Sequence, residues 1–148
     1  MIDIREQYKK AILEKNEDRK RVLGNLLAQM KNKEIELRAK DKELTEEDII
    51  GLIQKTIKQD AEANEMFIQG GRADLVKQNE VEIAILQSFL PKQLSELELI
   101  EVIEVMISLT GATSVKDMGK VIAQIKAKYS GQVDMSVVST MVKKMLGG

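Results

Sequence analysis

Residues 84–103 read AILQSFLPKQLSELELIEVI, and the fold turns on the middle of that stretch. Pro91 is the chain's only proline and follows directly on the apolar pair Phe89–Leu90. It disfavours helix at Leu90 and has no N–H to donate. Four residues later, Ser95 and Glu98 stand at the spacing of a capping box. One helix ends before Pro91 and another opens after Ser95, so a domain boundary falls in LPKQLS. The chain divides into an N-terminal helical domain, residues 1–91, and a C-terminal three-helix domain, residues 92–148.

Upstream of that boundary, apolar residues recur at helical spacing. Ile4, Tyr8 and Ile12 mark a first helix over about residues 3–15. The polar run KNEDRKR, residues 15–21, predicts a break or a kink. Val22, Leu23, Leu26, Leu27, Met30 and Leu37 then line a long helix to about Arg38. Thr45 can cap the next helix, with Glu46, Glu47 and Asp48 placed favourably for its dipole. That helix buries Ile49, Ile50, Ile53 and Ile57 and runs to about Ile68, where Gly70 or Gly71 supplies a left-handed cap. A fourth helix continues to about Leu90.

Downstream, three helices are legible. Leu99, Ile100, Ile103 and Ile107 line the first, and Ser114 with Asp117 is expected to cap the second. Asp134 can cap the third, with Val138, Met141, Val142 and Met145 inward. Such a unit can just fold alone. The fold class is all-α: a bundle of long helices followed by a small three-helix domain.

Composition narrows the chemistry. Of 148 residues, none is histidine or cysteine. Disulfides, thiolate zinc sites, thiol nucleophiles and imidazole bases are therefore excluded. No phosphate-binding glycine loop occurs either, so no cofactor is expected and catalysis by this chain alone starts from a weak position. Lysine plus arginine nearly balance aspartate plus glutamate, 23 against 24, yet the balance is local. From Gly111 onward, Lys116, Lys120, Lys126, Lys128, Lys143 and Lys144 face only Asp117 and Asp134. The last third is cationic. MIDIREQYKK has no apolar leader core, and no apolar run approaches the roughly 20 residues of a bilayer span. A cytoplasmic location and no membrane partner are expected.

Three stretches carry a resemblance. DMGKVIAQIKAKYSGQVDMSVVSTMVKKML, residues 117–146, resembles the C-terminal signature of the GatB/YqeY family: Met-Gly-Lys opening a helix, a Gly-x-x-Asp turn, and a lysine-bearing last helix. GGRADLVKQNEVEIAILQSFLPKQLS, residues 70–95, resembles its hallmark of a Gly-Arg turn and Leu-Pro-x-Gln-Leu. With TEEDIIGLIQKTIKQ included, the likeness covers nearly the whole chain, at the length of the stand-alone members. It implies kinship with the tail of GatB, the amidotransferase subunit whose tail helps hold tRNA. The ATP-using core of GatB and the glutaminase subunit have no counterpart here.

Two groups of residues stand out as candidate sites. The first is Gly119 with Lys120, extended by Lys116, Lys126 and Lys128 and by Lys143 and Lys144 on the last helix. A helix N-terminus favours anions, and glycine lets a phosphate near the backbone. At about 100° per residue, however, Lys126 and Lys128 stand roughly 200° apart. The alternative for Gly119 is close helix–helix contact, with the lysines merely solvated.

The second group is Arg72, Asp74, Glu80 and Glu82, in principle capable of acid–base work or Mg²⁺ binding. Glu80 and Glu82 point to different sides of a helix, which argues against a shared metal site. The structural reading is preferred: Asp74 serves the helix dipole, and Arg72 pairs across to a neighbouring helix near Glu62 or Glu65. Arg72, Asp74, Glu80 and Pro91 are then motif positions with structural roles. The methionines, at mostly apolar helical positions, read as core filler.

The leading expectation is an RNA-associated helical protein whose last three helices bind tRNA or another structured RNA. The alternatives are an accessory role beside amidotransferase subunits in carbon–nitrogen ligation with glutamine as nitrogen donor, and a protein-interaction adaptor.

Overall fold

The computed structural model describes residues 3–147. Among them there is no strand, and seven α-helices carry the fold. The chain packs as two compact units, the first ending at Leu90 and the second beginning at Pro91.

The first unit holds α1 (Ile4–Leu13), α2 (Glu17–Arg38), α3 (Glu46–Gln69) and α4 (Ala73–Gln87). Its helix starts are set by side-chain acceptors that satisfy otherwise orphaned N–H groups. The Asp3 carboxylate accepts from the Glu6 N–H at 3.0 Å. KNEDRKR is a full break: Lys15 takes φ 56°, and the Asn16 side chain accepts from the Arg19 N–H at 3.1 Å to open α2. At α3, Thr45 and Asp48 cap each other reciprocally, at 2.9 and 3.2 Å.

Helix α3 stops at a left-handed glycine, and that residue is Gly71, at φ 70°, while Gly70 keeps φ −83°. The Arg72 N–H then returns to the Phe67 carbonyl at 2.8 Å, closing a Schellman turn. Helix α4 ends at Gln87, short of the expected Leu90. Phe89 and Leu90 tighten instead onto carbonyls three residues back, at 3.1 Å each, and Pro91 cannot extend the ladder. Ile4, Ala11, Val22, Leu23, Leu26, Ile49, Ile53 and Leu86 form the core.

The second unit holds α5 (Glu96–Thr110), α6 (Met118–Tyr129) and α7 (Met135–Gly147). The Ser95 hydroxyl accepts from the Glu98 N–H at 3.2 Å and donates to its carboxylate. Gly111, at φ 70°, ends α5. Leu99, Ile103, Met106, Val121, Ile125, Val133, Val138 and Val142 make the core.

Three expectations need correction. The Ser114 side chain caps nothing: a 3₁₀ turn, Val115–Asp117, intervenes before α6. The local acceptor is the Asp117 carboxylate, which takes the Thr113 N–H at 3.0 Å. Not every methionine is filler, because Met66 is 72% exposed. Met145 lies at the surface rather than inward, since α7 turns Val138 and Val142 to the core.

The LPKQLS segment is fastened to the second unit. The Leu94 N–H donates to the Gln132 carbonyl at 2.9 Å. The Gln93 side-chain amide donates to the carbonyls of both Pro91 and Gly131. Gly131 needs its residue type, since it holds φ 84° in the turn between α6 and α7. Asp134 then accepts from the Ser136 N–H at 2.9 Å as α7 begins.

Candidate nucleic-acid interface

Gly119 is the second residue of α6 and is exposed. A Cβ built there would meet nothing within 4 Å. Close helix packing is therefore not the reason for this glycine, and that alternative falls. The backbone at the start of α6 is open to solvent.

That helix end already has an anion beside it. The Asp117 carboxyl is held below its ordinary value, first by the backbone N–H of Thr113, with the Ser114 N–H and Lys120 adding to the effect. Lys120 Nζ stands 4.0 Å from Asp117 Oδ1. An incoming phosphate would thus meet Asp117 at the helix end, so side-chain cations rather than the dipole must do the attracting.

The lysines fall into two groups. Lys116 sits in the 3₁₀ turn, and Lys120 in the first turns of α6. The end of α7 docks against that turn: a Cβ on Gly147 would come within 2.9 Å of Val115 Cγ2. Lys143 and Lys144 lie about one turn before that docked end of α7. Lys126 and Lys128 occupy the last turn of α6, about 9–12 Å further along the axis from Lys120 at 1.5 Å per residue. Lys128 Nζ lies 5.8 Å from the Tyr129 ring centre. All six lysines are exposed. Among the described residues, Lys116, Lys126, Lys143 and Lys144 have no carboxylate within ion-pair distance.

The second candidate group does not converge. Arg72 turns back on its own helix start and forks onto Asp74, with Nε to Oδ1 at 3.2 Å and Nη2 to Oδ2 at 3.1 Å. This corrects the expected pairing toward Glu62 or Glu65. Each raises the charged state of the other: Asp74 holds the Arg72 proton more firmly, and Arg72 depresses the Asp74 carboxyl. Glu80 is exposed and lines a shallow hollow with Ile68, Val76 and Lys77. Glu82 faces the other way, into α3, where it meets Asp60.

Asp60 is the residue that motif reading passed over. Burial first, then a hydrogen bond and charge repulsion from Glu82, push its carboxyl up to about 7. A signal was present: Ile49, Ile53, Ile57, Asp60 and Asn64 run at three- and four-residue steps along one face, so Asp60 occupies an apolar-stripe position. Among the described residues no group of three or more carboxylates could hold a metal ion. None of the described helices is long and apolar enough to cross a membrane.

Two all-helical units, with the charged motif residues spread over the surface rather than gathered in a cleft, define the class: an all-α protein of paired helical units. The chain belongs to the Yqey-like protein family, whose model matches residues 2–146. It is also similar to fungal proteins named altered inheritance of mitochondria protein 41, mitochondrial. The relative from Lachancea thermotolerans is 36% identical over 88 residues, 60% of this chain and 46% of the relative. That from Eremothecium gossypii is 33% identical over 87 residues, 59% and 46%. That from Vanderwaltozyma polyspora is 30% identical over 90 residues, 61% and 48%. The match spans about half the length of these curated relatives.

Their names overturn the cytoplasmic expectation, since they are named as mitochondrial proteins. A missing apolar leader core speaks only to secretion, whereas mitochondrial targeting segments are amphipathic and arginine-rich.

Proposed function

We infer that the second unit is an RNA-contacting module and that structured RNA, with tRNA as the first candidate, lies against its lysine surface. The observation that carries this reading is the set of exposed lysines without carboxylate partners: Lys116, Lys126, Lys143 and Lys144. Surface lysines of a near-neutral protein are usually interspersed with acids, whereas from Gly111 onward the sequence offers two, Asp117 and Asp134, and Asp117 already serves Thr113. Unneutralised cations on a rigid helical unit suit a phosphate backbone, which repays contact by releasing counterions. Recognition would be by charge and shape, because Tyr129 is the unit's only aromatic residue and base stacking has little to work with.

The open backbone at Gly119 supports close approach, and Lys120 would exchange its long contact to Asp117 for a phosphate. An accessory part in carbon–nitrogen ligation rests on family resemblance, and nothing in the geometry favours it.

The test is retention of total tRNA by the full chain across a salt series, for wild type and for Lys120→Glu/Lys126→Glu. The expected result is retention that falls steeply with salt and is lost in the double variant while helicity is kept. Retention unaffected by either change would reject the proposal.

A further inference from the structure

The α3–α4 hairpin runs on past the core of the first unit. Its contributions to that core end at Ile57 on α3 and begin again at Ile85 on α4. Between them, residues 58–84 include none that is fully buried. This stretch is a two-helix arm, held chiefly by what α3 and α4 offer each other. Its tip carries Met66 and Ile68, 72% and 67% exposed.

At the root of the arm the two helices meet through carboxyls. Asp60 of α3 hydrogen-bonds Glu82 of α4. Two carboxylates cannot make that bond while both are ionised; one must carry a proton. The other Asp60 oxygen, Oδ2, and the Asn64 Oδ1 one turn nearer the tip are both shielded from solvent and accept no hydrogen bond among the described residues. A pair with spare acceptors and no donor lacks the usual way to keep two negative charges at a helix interface.

Among the described residues no cation acts on Asp60. One turn to either side on the same face of α3 are Thr56 and Asn64, and on α4 Gln78, Asn79 and Leu86, all uncharged. From α2, which also packs on both helices, no charged group acts on Asp60; Glu82 is the only charge that does.

We propose that Asp60 and Glu82 form a proton-controlled latch, in which one shared proton closes the α3–α4 arm and its loss loosens the helices beyond Ile57 and Ile85. The protonation midpoint of Asp60, about 7, puts this change near neutrality. Linkage sets the sign. A carboxyl whose folded value is raised binds more protons folded than open. Closure is therefore favoured at low pH, weakens as pH rises from the ordinary carboxyl value of 3.8 to the folded value, and changes no further above it. The opened arm would present Phe67, Leu75 and Val76, now half-buried, beside the already exposed Met66 and Ile68.

The test tracks the Asp60 carboxyl carbon by NMR in the full chain, together with amide exchange across residues 58–84, corrected for intrinsic rates. The range runs from about pH 5.5 to about pH 8.5, on either side of the midpoint, with opening rising by up to about tenfold per pH unit below it and levelling off above it. Asp60 should titrate near the neutral midpoint, and arm protection should fall as pH rises toward that midpoint and level off beyond it, while amides around Ile53 and Leu86 hold. Asp60→Asn and Glu82→Gln should each remove the pH dependence, and either suffices if the other folds poorly. An ordinary carboxylate midpoint overturns the latch. So does arm protection that ignores the titration, or pH dependence that survives in the variants.

Discussion

Gln93 holds the backbone of Gly131: its side-chain amide donates to the Gly131 carbonyl and, at 2.9 Å, to the carbonyl of Pro91. The Leu-Pro-x-Gln-Leu motif and the Gly-x-x-Asp turn are thus two halves of one fastening. Gln93→Ala removes both bonds and leaves the carbonyl of the buried Gly131 without that donor. Thermal or denaturant unfolding should show a loss of about 1–2 kcal/mol, with helix content unchanged at low temperature.

Gly147→Ala tests the docking of α7. The added methyl would stand 2.9 Å from Val115 Cγ2, closer than carbon atoms tolerate, so either the Val115 side chain or the end of α7 must shift. The expected cost is about 1–2 kcal/mol. Val115→Ala in the same chain should return most of it, and a double-mutant cycle measures the coupling.

Gly119→Ala should behave in the opposite way. Its Cβ meets nothing, and alanine is the better helix former by up to about 1 kcal/mol, less so this near a helix end. Stability should hold or rise slightly. If tRNA approaches the Gly119 backbone, retention should drop without any loss of melting temperature, and equal retention would shift the contact to the lysines alone.

Acid sensitivity should track Asp117. Its folded value is lowered, first by the Thr113 N–H. Its contribution is therefore present above the ordinary carboxyl value of 3.8 and is lost as pH falls through the lower folded value. Asp117→Asn should flatten that part of the acid limb, read from melting temperatures between about pH 6 and about pH 3.

Much of the fold could be read from residues whose chemistry acts locally. Thr45, Ser95 and Asp134 announce helix starts, and a left-handed glycine ends α3 as the GGR triplet suggests. The features that escaped the sequence depend on neighbours far along the chain or on the exact path of a turn. Ser114 has the right side chain for a cap, but the 3₁₀ turn places Asp117 where the free N–H groups point. Arg72 had two plausible acids on α3 and took the one two residues away, because Asp74 needs no reach across a helix interface. Asp60 looked like one more surface acid until α4 brought Glu82 against it. The exposed setting of Gly119 was also out of reach, since spacing says where a residue lies on a helix and not whether another helix comes near.

The fastening at Gln93 has a practical corollary for anyone cutting the chain. Sequence begins the C-terminal domain at residue 92, with its first helix starting after Ser95, and a fragment could be cut at Ser95 itself. Such a fragment would discard the amide that grips Gly131 and the N–H that Leu94 gives to Gln132. The compact unit begins at Pro91, so the proline that looks like a seam is the first stitch of the second unit.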